Sequence, residues 1–178
     1  GKHMNDRRIR SVVIVGGGTA GWMAAAALSK SFAGMGVRLQ LIESARIDPV
    51  GVGEATIPPI MDFIRQLGID EGDLVREIKA TYKLGIGYRE WTRAGHFYFH
   101  PFGPAGPGMG NVPFQAYWLK MLLEGKAERL EEYSIQATAA LRGRFARPVH
   151  APNTPLNKVT YALHFDAGRF ARYLRTYA

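Results

Sequence analysis

Residues 12–21 read V-V-I-V-G-G-G-T-A-G, and this stretch decides the fold class of the chain. Its β-branched start, Val12–Val15, is typical of a buried parallel strand. Residues 19–32 then predict a helix that packs on the sheet through an alanine run. Between strand and helix, three glycines fit the pattern G-x-G-x-x-G: Gly16, Gly18 and Gly21. This pattern makes a tight turn, lets the backbone approach a pyrophosphate, and places that pyrophosphate on the N–H groups of the helix.

A glycine pattern alone is weak evidence for dinucleotide binding. A second predicted strand that ends in an acid strengthens this interpretation. Residues 37–42 read V-R-L-Q-L-I and are followed directly by Glu43. A carboxylate at this point accepts hydrogen bonds from ribose hydroxyls and would repel a 2′-phosphate. The alternative is a glycine turn without a ligand. The combined pattern favours dinucleotide binding.

Composition limits the remaining possibilities. A chain of 178 residues can bury a substantial core, and 47% hydrophobic residues is ordinary for a globular protein. The absence of cysteine excludes disulfides, thiolate metal sites and thiol catalysis, and we expect no metal site. No apolar run approaches the roughly 18 residues of a membrane span. We therefore expect a cytoplasmic protein without membrane association. Residues 1–4 (G-K-H-M) are expected to be an expression scar.

The net charge of +8 is dispersed along the chain. Nucleic-acid binding requires basic residues clustered on one element together with stacking aromatic residues. Dispersed charge indicates solubility and attraction for an anionic cofactor, so no nucleic-acid partner is expected.

The middle of the chain predicts two helices and one strand. After a loop, residues 60–67 have helical apolar spacing, Gly68 ends that helix, and residues 71–80 form a second, polar helix. Residues 81–91 alternate apolar and polar side chains, which predicts a strand with one apolar face. From this pattern alone, Lys83 is a solvated side chain on the opposite face.

The second half of the chain is less regular. Residues 96–110 are rich in aromatics, prolines and glycines, and they are either a hydrophobic plug or the wall of a pocket for a flat ligand. Residues 115–123 predict a helix, and residues 134–160 predict an irregular surface excursion. Asp166 is predicted to cap a final helix.

Five motifs together resemble the flavin-dependent tryptophan halogenase family. They are G-G-G-T-A-G-W-M-A-A from Gly16, G-V-G-E-A-T-I-P from Gly51, T-Y-K-L-G-I from Thr81, H-F-Y-F-H-P-F-G from His96, and H-F-D-A with F-A-R-Y-L near the end. The first two separate this family from general flavin monooxygenases, which share only the glycine pattern. The resemblance runs from about Ile9 to Ala178.

The resemblance implies an α/β fold of the Rossmann-like, glutathione-reductase type, with a mixed sheet and added helices. It implies that a separate flavin reductase supplies FAD as FADH2, and that dioxygen converts this to a flavin hydroperoxide. Chloride or bromide then gives hypohalous acid, which an active-site lysine holds while an indole-type aromatic substrate is halogenated. Such an enzyme is an oxidoreductase.

Site residues follow from the glycine pattern and from the resemblance. The family's lysine falls on Lys83, which this resemblance places inward as the catalytic residue. The residues expected to bind FAD are Gly16, Gly18, Thr19, Ala20, Gly21, Glu43, Gly53, Glu54, Ala55 and Thr56. The residues expected to bind the substrate are Ile57, Pro58, His100 and Phe102. An extra phenylalanine, Phe99, and Pro101 indicate a pocket reshaped relative to tryptophan-specific members.

Two family features are absent from the sequence. The W-x-W-x-I-P motif does not occur, and the glutamate that partners the lysine would lie beyond residue 178. We therefore expect residues 5–178 to be the N-terminal part of a single FAD-binding halogenase domain, without catalysis of its own. Two alternatives stay open, an FAD monooxygenase of the same fold and a non-catalytic flavin-binding module.

Overall fold

The computed structural model describes residues 8–45, 52–149 and 153–178. They divide into two units. The first unit contains the described residues up to 55 together with 62–81 and 164–178, and the second contains 56–61 and 82–163. The expected scar at residues 1–4 and Gly51 of the second motif lie outside the described residues.

Seven strands and six helices occur in the described part of the chain. In order they are β1 (Ser11–Val15), α1 (Thr19–Ser31), β2 (Arg38–Ile42), β3 (Gly53–Ala55), α2 (Pro59–Leu67), α3 (Glu71–Glu77), β4 (Thr81–Lys83), β5 (Gly85–Arg89), β6 (Phe97–Pro101), α4 (Phe114–Leu123), α5 (Ile135–Leu141), β7 (Ala162–Asp166) and α6 (Ala167–Tyr177). Single 3-10 turns occur at Leu130–Tyr133 and Pro155–Lys158.

The first unit begins with the strand–helix–strand arrangement that the glycine pattern predicts. Strands β1 and β2 are parallel, with Ser11 opposite Arg38 and Val15 opposite Ile42. Helix α1 connects them, and its alanines Ala25 and Ala26 are buried. Small side chains on this face let the helix approach its neighbours closely. The predicted elements are confirmed to within one residue at their ends.

The prediction that β1 is buried is wrong for the described chain. Val13 is 50% exposed and Val15 is 83% exposed, whereas Val12 and Ile14 are half-buried. Successive side chains point to opposite faces of a strand. Ile14 faces α1, because a Cβ at Gly21 of that helix would lie 3.8 Å from its side chain. The helix therefore covers one face of the strand and leaves the other face exposed.

Helices α2, α3 and α6 supply large buried side chains. Ile64 and Leu67 of α2 are buried, and Gly68 ends the helix with φ +75°. Helix α3 stops at Glu77, shorter than the predicted 71–80, because Ile78 leaves the helical conformation as its C-cap. Helix α6 buries Phe170 and Leu174 completely, and Asp166 caps it as predicted by accepting a hydrogen bond from the Arg169 N–H at 2.7 Å.

The strand predicted over residues 81–91 is two strands. Strand β4 belongs to a three-stranded sheet with the order β3-β7-β4, while β5 pairs antiparallel with β6. At Leu84 the chain passes from one sheet to another, so the alternating residues 81–91 contribute strands to two different sheets. Neither β6 nor β7 was predicted, since both carry aromatics and histidines instead of simple alternation.

The prediction that residues 134–160 are irregular is also wrong in part. Helix α5 begins at Ile135, and the Ser134 hydroxyl caps it by accepting from the Ala137 N–H at 3.3 Å. The Ser-Ile-Gln-Ala start of this helix is a local capping signal that the neighbouring prolines obscured. No helix in the described residues is long and apolar enough to cross a membrane.

Replacing Asp166 with alanine tests the importance of the α6 cap. We expect Asp166→Ala to lower the free energy of unfolding by about 1 kcal/mol, because the Arg169 N–H then lacks its acceptor. Urea denaturation followed by circular dichroism measures this change. Asp166→Asn keeps an acceptor oxygen and serves as the control. Equal stability of the alanine variant and the wild type would contradict the assignment.

Candidate functional site

The glycine turn of the first unit requires glycine at two positions. Gly16 has φ +117°, a conformation that side chains rarely adopt, and its N–H donates to the Ile42 carbonyl at 2.8 Å. At Gly21 the reason is a close approach, since a Cβ would lie 1.9 Å from the Gly16 carbonyl oxygen. The turn is therefore fixed to β2 and packed tightly under the start of α1.

The start of α1 fits a phosphate group. Gly18 is the N-cap of α1 and provides no side-chain hydrogen bond to the first N–H groups of the helix. The first turn of the helix contains no acidic residue. A Cβ at Gly18 would meet no atom within 4 Å, so the backbone there is open to a ligand. Unpaired N–H groups and the positive end of the helix dipole favour an anion at such a position. The Thr19 hydroxyl donates to the Ala167 carbonyl at 3.4 Å, and Ala20 is exposed in the first turn.

Glu43 is held at the end of β2 by two partners that the sequence did not indicate. Its Oε1 accepts from Arg175 Nη1 at 2.8 Å, and its Oε2 accepts from Trp22 Nε1 at 3.3 Å. The Arg175 guanidinium also lies 5.6 Å from the centre of the Trp22 ring, a cation–π distance. Each carboxylate oxygen can accept a further hydrogen bond, so these contacts orient the acid and leave acceptor capacity for a ligand.

The predicted cofactor residues 53–55 form β3. Gly53, Glu54 and Ala55 pair antiparallel with β7, opposite Asp166, Phe165 and His164 in turn, and all three are exposed. Ile57 is 56% exposed and Pro58 is half-buried. The carbonyls of Ile57 and Pro58 accept hydrogen bonds from the first N–H groups of α2, so these two residues form the turn into that helix.

Thr56 is fixed by three hydrogen bonds to one residue, Leu163 of β7. The Thr56 N–H donates to the Leu163 carbonyl at 3.0 Å, and the Thr56 hydroxyl donates to the same carbonyl at 2.8 Å. The hydroxyl oxygen accepts in turn from the Leu163 N–H at 3.1 Å. Leu163 is completely buried. These bonds anchor the N–H and the side chain of Thr56 to β7, and the Thr56 carbonyl belongs to the peptide that follows this anchored residue.

Lys83 lies in the second unit and is 8% exposed. Its Nζ donates to the Thr56 carbonyl at 2.9 Å and lies 5.4 Å from the centre of the Phe102 ring. Burial disfavours the charged form and lowers the pKa of Lys83 from its ordinary value of 10.5. The solvated alternative that the alternating pattern allowed is therefore wrong, and the lysine occupies an inward position.

His100 of β6 and Phe102 just after it are alternate residues, so their side chains lie on the same side of the strand. His100 pairs with Ile86 across the β5–β6 ladder, and the ladder continues as the Phe102 N–H donates to the Leu84 carbonyl at 2.9 Å. The Thr160 hydroxyl donates to the Phe102 carbonyl at 2.8 Å. Phe102 is half-buried, whereas His100 is exposed. The backbone of Phe102 is thus fixed on both sides, beside the lysine.

Phe99 and Pro101 alternate with His100 and Phe102 along β6, so they point to the other face of the strand. The Phe99 N–H donates to Oε1 of Glu131 at 3.3 Å. Any effect of Phe99 and Pro101 on the shape of a pocket beside Phe102 would therefore be indirect, through the position of β6.

Glu131 supports β6 and was not identified from the sequence. It is 8% exposed and pairs with Arg129 at 3.0 Å. Burial alone would raise the pKa of Glu131, but the hydrogen bonds from Arg129 and from the Phe99 N–H outweigh burial, and the pKa is lowered. The carboxylate therefore stays ionised at neutral pH and holds the strand that carries His100.

The structure gathers nine of the fifteen predicted site residues into two groups, each within its own unit, and the other six belong to neither group. The first surrounds the start of α1 and consists of Gly16, Gly18, Thr19, Ala20, Gly21 and Glu43. The second consists of Thr56, Lys83 and Phe102, and its chemistry is that of a shielded amine next to an aromatic ring. Within the part of the chain that the structure describes, no three His, Asp or Glu side chains could hold a metal ion together.

The burial of Lys83 predicts a pH-dependent contribution to stability. Because the pKa is lower in the folded chain than in the unfolded chain, the unfolded state binds more protons between the lowered pKa and 10.5. The wild type should therefore gain stability relative to Lys83→Met as the pH rises through this window. Urea denaturation of both proteins between pH 7 and pH 10.5 measures the difference. A difference that is constant with pH would contradict the lowered pKa.

Gly21 and Gly18 form a matched pair for the glycine turn. Gly21→Ala should lower the free energy of unfolding by about 1–3 kcal/mol, because the added methyl group meets a backbone carbonyl that cannot move freely. Gly18→Ala adds the same group in open space and should change stability by less than about 1 kcal/mol. Thermal denaturation of the two variants compares them directly. Equal destabilisation would show that the close approach at Gly21 is unimportant.

Comparison with known proteins identifies the family. The tryptophan halogenase family matches residues 11–178. The tryptophan 6-halogenase ThaL of Streptomyces albogriseolus is 35% identical over an alignment that covers 97% of this chain and 35% of that protein. The tryptophan 7-halogenase RebH of Lentzea aerocolonigenes is also 35% identical, with 96% of this chain and 34% of that protein covered. The chain thus spans about a third of the length of these curated relatives.

Solved structures agree with the sequence comparison. BrvH, a flavin-dependent halogenase from Brevundimonas sp. BAL3, superposes with a TM-score of 0.87 and 46% identity, covering 96% of this chain and 33% of that chain. The tryptophan 6-halogenase SttH from Streptomyces toxytricini superposes with a TM-score of 0.80 and 34% identity, covering 96% of this chain and 36% of that chain. The predicted α/β fold of the flavin-dependent halogenases is confirmed, and this chain belongs to the tryptophan halogenase family.

Proposed function

We propose that the protein that carries this chain is an FADH2-dependent halogenase of indole-type aromatic compounds, with Lys83 as the catalytic residue. The observation that carries this proposal is the environment of Lys83, which is buried, held by the Thr56 carbonyl at 2.9 Å and next to the Phe102 ring. Burial of a lysine amine costs free energy, so a buried lysine bonded to a neutral carbonyl is a candidate for a chemical role. Membership of the family supports the same chemistry.

The first unit supports the cofactor part of the proposal. The open backbone at Gly18, the helix start without acidic residues and the oriented carboxylate of Glu43 suit the pyrophosphate and ribose of FAD. When bound, FADH2 would supply two electrons to the reduction of dioxygen, and chloride or bromide would supply the other two as it is oxidised to hypohalous acid. A separate flavin reductase is the proposed source of FADH2.

Lys83 acts on the hypohalous acid in one of two protonation states. As an ammonium, it donates a hydrogen bond to the oxygen of the acid and makes the halogen more electrophilic. As a neutral amine, it exchanges an N–H proton for halogen, which gives a haloamine and releases water. The indole carbon then attacks the halogen, its C–H proton leaves, and the N–H of the lysine is restored. Burial lowers the pKa of Lys83 and thus favours the neutral amine relative to an exposed lysine.

Phe102 and His100 support the substrate part of the proposal. The Phe102 ring lies beside Nζ of Lys83, so an aromatic substrate stacked on this ring would present its edge near the amine. The relatives ThaL and RebH are named for tryptophan, whereas BrvH, at 46% identity, is named only as a flavin-dependent halogenase. We therefore propose the indole ring as the recognised group and leave free tryptophan as one candidate within that class.

Replacing Lys83 tests the proposed function. The complete gene product that contains these residues is incubated with FAD, a flavin reductase, NADH, oxygen and indole, once with bromide and once with chloride. We expect a product with the isotope doublet of the halogen in mass spectrometry. Lys83→Met should reduce its rate at least about 100-fold, because the group that activates the halogen is lost.

Lys126→Met is the matched control, since it removes an exposed lysine of the same unit. It should keep full activity, and both variants should bind FAD as the wild type does. Product formation that persists in Lys83→Met would overturn the catalytic assignment. An oxygenated product without halogen would indicate a monooxygenase instead, and bound FAD without any product would indicate a non-catalytic flavin-binding module.

A further inference from the structure

Two side chains of the first unit hold the carboxylate of Glu43, and the chemistry described above uses neither of them. Trp22 lies at the start of α1, and Arg175 lies in the last turn of α6. Arg175 Nη1 donates to Oε1 of Glu43 at 2.8 Å, and Trp22 Nε1 donates to Oε2 at 3.3 Å. We call Trp22 and Arg175 the acid clamp.

The carboxylate held by the acid clamp lies directly on the glycine turn. A Cβ added at Gly17 would be 1.9 Å from Oε2 and 2.5 Å from Cβ of Glu43. Gly17 lies between Gly16, whose N–H is bonded to β2, and Gly18, where the backbone at the start of α1 is open. The acid therefore belongs to the same site as the helix start that is proposed to bind the pyrophosphate of FAD.

The three side chains restrain one another, because each contacts the other two. The Arg175 guanidinium lies 5.6 Å from the centre of the Trp22 ring, a cation–π distance, and both side chains bond to the acid. An unrestrained glutamate loses rotamer entropy when a ligand orders it. The acid clamp reduces this cost by ordering the carboxylate before a ligand binds, which is preorganisation.

The hydrogen bonds of the acid clamp leave acceptor positions for a diol. An ionised carboxylate has about four acceptor positions, two on each oxygen. Among the described residues, the acid clamp uses one position on each oxygen of Glu43, so each oxygen keeps one for a ligand. Two such acceptors on one acid match the two neighbouring hydroxyls of an adenosine ribose.

Folding stability alone does not account for the acid clamp. The Arg175 side chain is 63% exposed, and the Glu43 side chain is 32% exposed. An ion pair so open to solvent contributes little to the free energy of unfolding. The position of this pair on the glycine turn points to a role in binding instead.

We propose that Trp22 and Arg175 are positioning residues that hold Glu43 for the ribose of FAD and thereby favour FAD over FMN, which has no adenosine. The inference rests on the proposed function, because it takes FAD as the ligand of the glycine turn. Without Arg175 the carboxylate regains rotational freedom, and FAD must then order it on binding. FMN lacks the ribose that Glu43 would bind, so its affinity does not depend on the acid clamp.

Calorimetric titration of the complete gene product with oxidised FAD and with FMN tests this inference without turnover. Arg175→Met keeps the length of the side chain and removes its charge and its donors. We expect the Kd for FAD to rise about five- to tenfold, because the acid loses one of its two hydrogen bonds. The Kd for FMN should change by less than about twofold, and the melting temperature should stay within about 2 °C.

Trp22→Phe keeps an aromatic ring for Arg175 and removes the N–H. It should raise the Kd for FAD by about two- to fivefold and leave that for FMN unchanged, a smaller effect because the bond from Trp22 is the longer one, at 3.3 Å. Arg65→Met is the matched control, because Arg65 is an exposed arginine of the same unit that pairs with Asp62. It should leave the affinities for both flavins unchanged.

A double substitution shows whether Arg175 acts through Glu43. In a Glu43→Ala background, Arg175→Met should change the Kd for FAD by less than about twofold, because the acid that it positions is gone. An equal loss in both backgrounds would mean that the arginine acts on the cofactor directly, and this would overturn the inference. Unchanged FAD affinity in Arg175→Met, or an equal loss for FMN, would overturn it as well.

These outcomes are separable from those of the proposed function. FAD binding that does not depend on Arg175 would contradict only the inference, whatever the enzyme does in turnover. FAD binding that depends on Arg175 in a protein that does not halogenate would contradict only the proposed reaction. A wild type that binds no flavin would overturn the inference together with the cofactor part of the proposed function.

Discussion

The position of the buried lysine depends on one backbone carbonyl, that of Thr56, to which Lys83 Nζ donates. Thr56 is anchored to Leu163 by three hydrogen bonds that involve its N–H and its hydroxyl. These bonds fix the place of the residue, and its carbonyl belongs to the following peptide. Leu163 is completely buried in β7, so Thr56 is anchored to the packed interior of the second unit. A flexible side chain is in this way held at a defined point by backbone atoms.

A carbonyl is a weaker partner for an ammonium than a carboxylate, and this difference shapes the chemistry of the cluster. A carboxylate next to Lys83 would stabilise the charged form and raise the pKa, whereas desolvation without full charge compensation lowers it. The Phe102 ring adds a modest attraction for the cation without binding its protons. Among the described residues, the amine is consequently held by a neutral acceptor and an aromatic ring.

The parts of the fold that could be predicted from the sequence are those that depend on local patterns. The run Val12–Val15, the glycine turn, the helix that follows and the capping residue Asp166 all depend on neighbours within a few positions, and they are placed correctly. Strand β6, although it pairs with the adjacent β5, was missed because its aromatic and histidine residues do not alternate with polar ones, and β7 was missed because its partners β3 and β4 lie far away along the chain. For the same reason alternation could not show that the chain changes sheets at Leu84, nor decide between a solvated and a buried Lys83.

The candidate site likewise contains residues that local patterns identify and contacts that local patterns do not. The glycines could be identified from spacing, since their function is a backbone conformation. The contacts of Thr56 with Leu163 and of Glu43 with Arg175 join residues that are distant in sequence, and no periodicity encodes them. The exposure of Val13 and Val15 was not predicted, because an apolar β-branched run indicates burial but does not identify the element that would cover each face of the strand.

The pairing of Glu43 with Arg175 has a consequence for biosynthesis. Trp22 precedes Glu43 in the chain and can contact the carboxylate early, whereas Arg175 of α6 lies 132 residues further along and leaves the ribosome much later. Contacts of such high sequence separation form late in folding, because the long loop between the two residues must close first. The carboxylate therefore gains its second partner only after α6 has packed into place.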